Sequence, residues 1–321
     1  MAVTPSSWAQ NAAQAGINVP TLSEQVRLQA TPQMLVRELA RPEPGYGKHD
    51  GDTIRIVKVM RPTPAGGQIS ELSIVPLAKL SYGYVDTTVK AYGNKIASTE
   101  TWDQLMQVLD IKSKETQALK DDMALTLNAY AAQALVNNVD CWFDRSGGAN
   151  DGTVIGGNTN YTVPTRKLTA QDLRNIMKFL KSSRGKNPSP YYTKTSYLLI
   201  GDPFLIGGLL DDTSAGGFID TAKYTNPEAI YENEVGKLWG FRLIEENHWF
   251  NAADGGNSSY GRGAILAYDA LIEAVALEPE IRYNPPRDLF REFEVGWVFL
   301  GAWNRVWDYA NDLSPRVVYI P

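Results

Sequence analysis

Cysteine is nearly missing from this sequence of 321 residues. Cys141 stands alone, which excludes an intrachain disulfide and any zinc site built on paired cysteines. Histidine is almost as scarce. His49 and His248 lie far apart and in no metal-ligand spacing, so neither histidine catalysis nor histidine ligation is expected. No apolar run approaches the ~18 residues of a membrane-spanning helix. The N-terminus lacks a charged region followed by an apolar core, so the expectation is a protein made in a cytoplasm with no membrane partner. Positive charge is not in excess either. The net charge of −5 argues against a dedicated nucleic-acid binder, though not against proximity to DNA.

Catalytic motifs are missing as well. The pairs Gly47-Lys48, Gly185-Lys186 and Gly236-Lys237 all lack the upstream glycine that a phosphate cradle needs. There is no Gly-x-Ser-x-Gly elbow and no Gly-x-Gly-x-x-Gly opening a helix. Asp211-Asp212 and Glu245-Glu246 are adjacent carboxylates, which on a turn rarely converge on one atom and read as solvated. The loop from Asp144 to Asn160 is rich in Gly, Asn and Asp. It lacks the Asp-x-Asp-x-Asp-Gly spacing and closing Glu of a calcium loop, so it reads as a turn-rich connection. The 8 Trp, 16 Tyr and 9 Phe are not interleaved with Lys/Arg runs as in a single-strand-binding groove. They read as sheet-face and interface anchors. No catalytic residue, cofactor or metal is therefore expected.

What is present is scaffolding. From Asp110 to Asn138 runs a helical pattern with neither Gly nor Pro, and none follows until Gly147. Ile111, Ala118, Leu125, Ala129, Ala132 and Val136 form one apolar stripe; Leu119, Met123, Leu127, Tyr130 and Ala134 form another. Glu115, Asp122, Thr126 and Gln133 lie in a polar line between them. Two stripes imply contact on two sides of a spine roughly 40 Å long. Before it, residues 1 to 45 read as an arm. Met1 to Pro20 is rich in Ala, Gln, Asn and Ser, and Leu22, Val26, Leu28, Met34, Leu35, Val36 and Leu39 suggest a short amphipathic helix; such an arm is either disordered or, as its many apolar residues favour, laid against a partner.

Residues 46 to 95 read as a long hairpin. Thr53 to Val59 is one strand and Ser81 to Tyr92 the returning one, with Tyr82 and Tyr84 opposite Val85, Thr87 and Val89. The connection from Arg61 to Leu80 holds Ile69, Leu72, Ile74, Val75 and Leu77. These are awkward in water unless the loop packs on a neighbour. Thr101 to Leu109 is expected as a short helix. Beyond Tyr161 the pattern turns α/β. Thr169 caps a helix from Ala170 to Lys181, and Pro203 to Leu210 forms another. Ser196–Gly201, Trp239–Glu245 and Ala264–Tyr268 read as strands, and Pro227–Glu234 as a short segment. In the last third Phe293, Val295, Trp297, Phe299 and Trp303 alternate on one face of a strand expected to pack under the spine.

Several of these stretches resemble the major capsid proteins of tailed bacteriophages, in the podophage-associated family with the Hong Kong 97-like fold. They are Thr63-Pro64-Ala65-Gly66-Gly67-Gln68; Thr88-Val89-Lys90-Ala91-Tyr92-Gly93-Asn94; and Tyr224-Thr225-Asn226-Pro227-Glu228-Ala229-Ile230 leading into Glu234-Val235-Gly236-Lys237-Leu238-Trp239-Gly240-Phe241-Arg242. The order of parts matches over about residues 20 to 310. The resemblance implies an α+β chain in five parts. Residues 1–45 are the N-arm and 46–95 the extended β-hairpin loop. Residues 96–145 and 276–310 are a peripheral domain with the spine helix, 146–275 an axial α/β domain, and 311–321 a C-terminal tail.

It implies a homo-oligomer of hexamers and pentamers forming an icosahedral virion shell around double-stranded DNA, bound without sequence specificity. Portal and decoration proteins are further implied partners. With no long segment ahead of the arm, a separate scaffolding protein is implied. The subunit-interface candidates are Ile69, Leu72, Ile74, Leu77, Leu28, Leu35 and Leu39. Some relatives cross-link a loop lysine; Lys58 and Lys79 lie in the loop, and neither matches a cross-linking motif. Two other readings stand beside this one: an encapsulin-like cellular shell, and a hydrolase using a carboxylate pair such as Asp211 with Glu245.

Overall fold

The computed structural model describes residues 35–43, 51–60, 67–69, 71, 74–75, 77–99, 111–136, 141–156, 161–182, 188–212, 234–247, 260–284, 292–312 and 314–321. The uninterrupted helical pattern folds as α1, Ile111–Val136. Its expected cap, Asp110, lies outside the described residues, as do the helix expected at Thr101–Leu109 and most of the arm. Leu119, Leu127, Ala131, Ala132 and Leu135 are buried, drawn from both expected stripes and the space between them. Toward its C-terminal end the helix is thus covered on more than one side.

One side of α1 lies on a four-stranded sheet, ordered β1 (Arg41–Pro42), β11 (Ile272–Tyr283), β12 (Glu292–Asn304) and β4 (Lys90–Thr99). The alternation expected for the last third is observed: Val295, Trp297, Phe299 and Trp303 are buried. Trp297 donates its indole N–H to Asp122 Oδ2 at 2.9 Å, and Asn94 Nδ2 donates to the same oxygen at 2.9 Å. Part of the polar line between the stripes therefore clasps the sheet. Phe299 stacks on Trp303 with centroids 5.4 Å apart. Gly93 is required where β4 meets β12, because a Cβ there would sit 2.6 Å from the Trp297 carbonyl oxygen.

A seven-stranded sheet follows in the order β6 (Val154–Gly156), β5 (Cys141–Phe143), β13 (Val317–Ile320), β10 (Gly263–Leu266), β7 (Tyr197–Gly201), β9 (Phe241–Glu245) and β8 (Glu234–Leu238). Its central strands are apolar without a break because both faces are buried. Leu198, Ile200, Ala264, Leu266, Val317 and Tyr319 join the core that α1 shares. Their neighbours Tyr197, Leu199, Ile265, Val318 and Ile320 join a second core beneath α2 (Ala170–Lys181) and α3 (Pro203–Leu210).

Thr169 caps α2 as expected, in a capping box with Asp172. Asp202 caps α3, accepting from the Leu205 N–H at 2.8 Å. Burial pushes the Asp202 carboxyl above the usual carboxylate range. A raised acid favours the folded chain in acid and loses that contribution as pH rises through its folded-state value. Asp202→Ala is expected to cost about 1 kcal/mol, whereas Asp202→Asn keeps the cap and flattens this pH dependence. Thermal melts across pH check both.

Two expectations are corrected. The returning strand is not continuous from Ser81 to Tyr92. It breaks at Val89 into β3 (Ser81–Thr88), paired with β2 (Thr53–Met60), and β4, which belongs to the four-stranded sheet. Residues 311–321 are not a tail, because β13 lies between β10 and β5 near the middle of the larger sheet. Its four apolar residues are needed to close both cores.

Candidate assembly surface

The β2–β3 hairpin sorts its side chains by the strand period. In its register Arg55 faces Asp86, Val57 faces Tyr84 and Val59 faces Tyr82 on one side. Ile54 with Thr87, Ile56 with Val85 and Lys58 with Gly83 lie on the other. The second side turns to the body of the chain and buries Lys58 and Thr87. The first is open to solvent although it is apolar: Val57 is 64% exposed and Tyr82 is 65% exposed. Arg55 and Asp86 close that face with two bonds of 2.7 Å, and the guanidinium lies 4.3 Å from the centre of the Tyr84 ring. The hydrogen bond from Arg55 holds the Asp86 carboxyl below the usual range.

The loop that closes the hairpin carries the interface candidates. Ile74 is 95% exposed and Leu77 is 84% exposed, and Ile69, Val75 and Leu80 are exposed too. Among the described residues nothing buries them, so their apolar area remains in water at roughly 25 cal/mol per Å². Leu72 and Leu28 lie outside the described residues. Leu35 and Leu39 are partly buried and pack on this chain's own core beside the buried Val36. The backbone there is held inward. Arg37 N–H donates to Asn128 Oδ1 at 3.1 Å, Arg37 Nε to Glu273 at 2.8 Å, and β1 pairs with β11 in parallel. Asn128 is buried within α1 and reaches Glu246 at 3.1 Å with its other end. A lone Asn among apolar helix residues was the signal for this clamp, and sequence reasoning did not use it.

The adjacent carboxylates Asp211 and Asp212 each have a partner. Asp211 pairs with Lys167 at 2.9 Å on the surface, and Asp212 Oδ2 accepts the α2 N-terminal Ala170 N–H at 2.8 Å. In the connection after β5, Asp144 accepts from Ser146 N and Thr162 Oγ1, which makes it a turn-builder. Among the described residues no group of His, Cys, Asp or Glu could hold a metal ion.

No family model and no curated protein matches the chain. Solved structures do. The head structure of Helicobacter pylori bacteriophage KHP40 superposes with a TM-score of 0.69 at 12% identity, over 97% of this chain and 96% of that one. The capsid asymmetric unit of cyanophage Pam1 gives 0.69 at 12% identity, over 100% and 98%. Mycobacterium phage Che8 gives 0.63 at 14% identity, over 94% and 96%.

The chain has the Hong Kong 97-like capsid fold.

At such identities it is the architecture that is shared, end to end, rather than any set of side chains. The match runs over nearly the whole of each chain, and the described elements, one long helix with several sheets, are of the expected α+β class.

Proposed function

We propose that this chain is the major capsid protein of a tailed bacteriophage, assembling as hexamers and pentamers into an icosahedral shell around double-stranded DNA. The observation that carries the reading is the exposed apolar hairpin face and loop on a Hong Kong 97-like body. Such a surface makes physical sense when a second copy covers it. In this reading residues 1–45 are the arm, 46–95 the extended loop, 96–145 with 276–310 the peripheral part and 146–275 the axial part. That β5 and β13 share the larger sheet with β7, β9 and β10 supports counting them with the axial part.

The role is structural and needs no cofactor. The net charge of −5 suits a shell that encloses DNA without gripping it. A separate scaffolding protein, a portal and decoration proteins are the proposed partners. The protein is placed in the virion after assembly in the host cytoplasm. The solved neighbours named above come from phages, which favours a phage head over a cellular compartment.

The test is a pair of substitutions. Ile74→Asp with Leu77→Asp changes side chains that stand almost fully exposed, so thermal stability is expected to change by less than about 0.5 kcal/mol. Assembly, read by electron microscopy and sedimentation, is expected to be lost. Normal shells from that double variant would refute the reading.

A further inference from the structure

Among the described residues, the hairpin is tied to the rest of the chain by a buried ion pair. Lys58 Nζ donates to the Val306 carbonyl at 3.0 Å and to Asp312 Oδ2, with the lysine and aspartate side chains 5% and 0% exposed. Asp312 ends the short α4 (Tyr309–Asp312), and its Oδ2 also accepts the Asp308 N–H at 3.0 Å. The Lys58 stem crosses the paired strand at Gly83, where a Cβ would lie 3.1 Å from Lys58 Cε and 2.9 Å from Met60 Cε. That glycine leaves the passage through which the ammonium reaches the body. Asn304 Nδ2 adds a further tie, donating to Thr87 Oγ1 at 2.9 Å.

Two residues mark the root of the hairpin among the described residues, where Val89 N–H also donates to the Asp52 carbonyl at 2.8 Å. On one side stands Gly51, at φ +94° with nothing packed where a side chain would be. On the other, the single residue Val89 separates β3 from β4. Beside this root lies an open cleft of about 680 Å³ bordered by Thr88, Lys90, Tyr130, Asn304 and Arg305. The receiving segment, by contrast, is fixed. Trp307 Nε1 donates to Asp269 at 3.0 Å, and Arg316 lies 4.7 Å from the Trp307 ring centre.

We infer that Lys58 and Asp312 form a latch that sets the angle of the hairpin, which pivots at Gly51 and Val89 when the pair is broken. A buried pair suits this task because it is all-or-none. Removing one partner strands a charge in an apolar setting, whereas replacing both by apolar groups leaves the docking intact. The body has no need to unfold, since opening the hairpin returns the stranded charge to water and leaves both cores closed. The latch holds in the single chain and does not depend on the capsid reading. If that reading also holds, the latch fixes where the loop meets its neighbour.

The test uses the full-length chain, dilute and unassembled. In the wild type, an amine-reactive acetylating reagent is expected to modify Lys58 at least about tenfold more slowly than the exposed Lys79. In Asp312→Asn the two rates are expected to converge. Cys141, buried in the larger sheet, stays unreactive to a thiol reagent and reports that the body is folded. The variant Lys58→Met/Asp312→Leu is expected to restore the closed pose. Spin labels placed by Lys79→Cys and Lys178→Cys read this as a narrow distance distribution, against a broad one in Asp312→Asn. Wild-type Lys58 reacting as fast as Lys79 would overturn the latch. So would an unchanged Lys58 rate in Asp312→Asn, Cys141 becoming reactive together with Lys58, or a double variant as broad as the single one.

Discussion

A chain in which residues 61–80 are replaced by an Asn-Gly turn is expected to fold normally and to form no shells. Met60 and Ser81 are directly paired at the end of the hairpin, so a two-residue turn of the primed type can join them without disturbing the register. The described apolar residues among those removed contribute almost nothing to the folded monomer, because Ile69, Ile74, Val75, Leu77 and Leu80 are all exposed in it. Their apolar area can be worth something only against another copy. Circular dichroism and thermal melts are therefore expected to match the wild type, while sedimentation finds no species of shell size. Shells of normal diameter from this deletion would mean that the loop is dispensable and that the contact lies elsewhere.

The second large effect lies in the body. Trp297→Ala is expected to destabilise the chain by about 3–5 kcal/mol, as for other large aromatic truncations in a core. Trp297 is 1% exposed and sits between β12 and α1, so its loss opens a cavity where spine and sheet meet. Its indole N–H is also one of two donors that neutralise Asp122 against the sheet. Trp297→Phe keeps most of the apolar volume and gives up that bond. It is expected to cost about 1–2 kcal/mol, since Asp122 keeps Asn94. Denaturant unfolding of the three chains measures the differences. Equal midpoints for Trp297→Ala and the wild type would mean that α1 is not held by this sheet.

The elements legible in the sequence are those whose signal is local. The spine shows as a long stretch free of Gly and Pro, and it folds as Ile111–Val136. Thr169 announces α2 through its own hydroxyl. The phase of β12 follows from Val295, Trp297, Phe299 and Trp303, because one face of that strand is buried and the period is two. What escaped is long-range. β13 is four residues long, and its partners are Gly263–Leu266 and Cys141–Phe143, far away in the chain. No window around Val317 contains the reason for its burial.

β11 escaped for a different reason. Glu273, Glu278, Glu280 and Arg282 dilute its apolar alternation, and the register against β12 shifts twice, between Val275 and Leu277 and between Leu277 and Glu280. A bulged strand carries no steady period to read.

The exposed apolar loop was legible in part. Ile69, Ile74 and Leu77 stood out because apolar residues in a Pro/Gly-rich connection have no core of their own, and the chain leaves them exposed. Leu35 and Leu39 carried the same hydrophobic signal yet fold inward. What separates the two groups is Asn128 and Glu273, more than ninety residues away, which hold Arg37 against the body. Lys58 likewise reads as an ordinary strand lysine until Gly83 and Asp312 are brought beside it.

The most direct measurement is electron cryomicroscopy of the concentrated full-length chain. Rings of six and five copies closing into shells are predicted, with the Val57–Tyr84 face and the Ile74 and Leu77 side chains of each copy covered by its neighbour. Single chains at every concentration, with residues 67–80 lying against their own body, would contradict it.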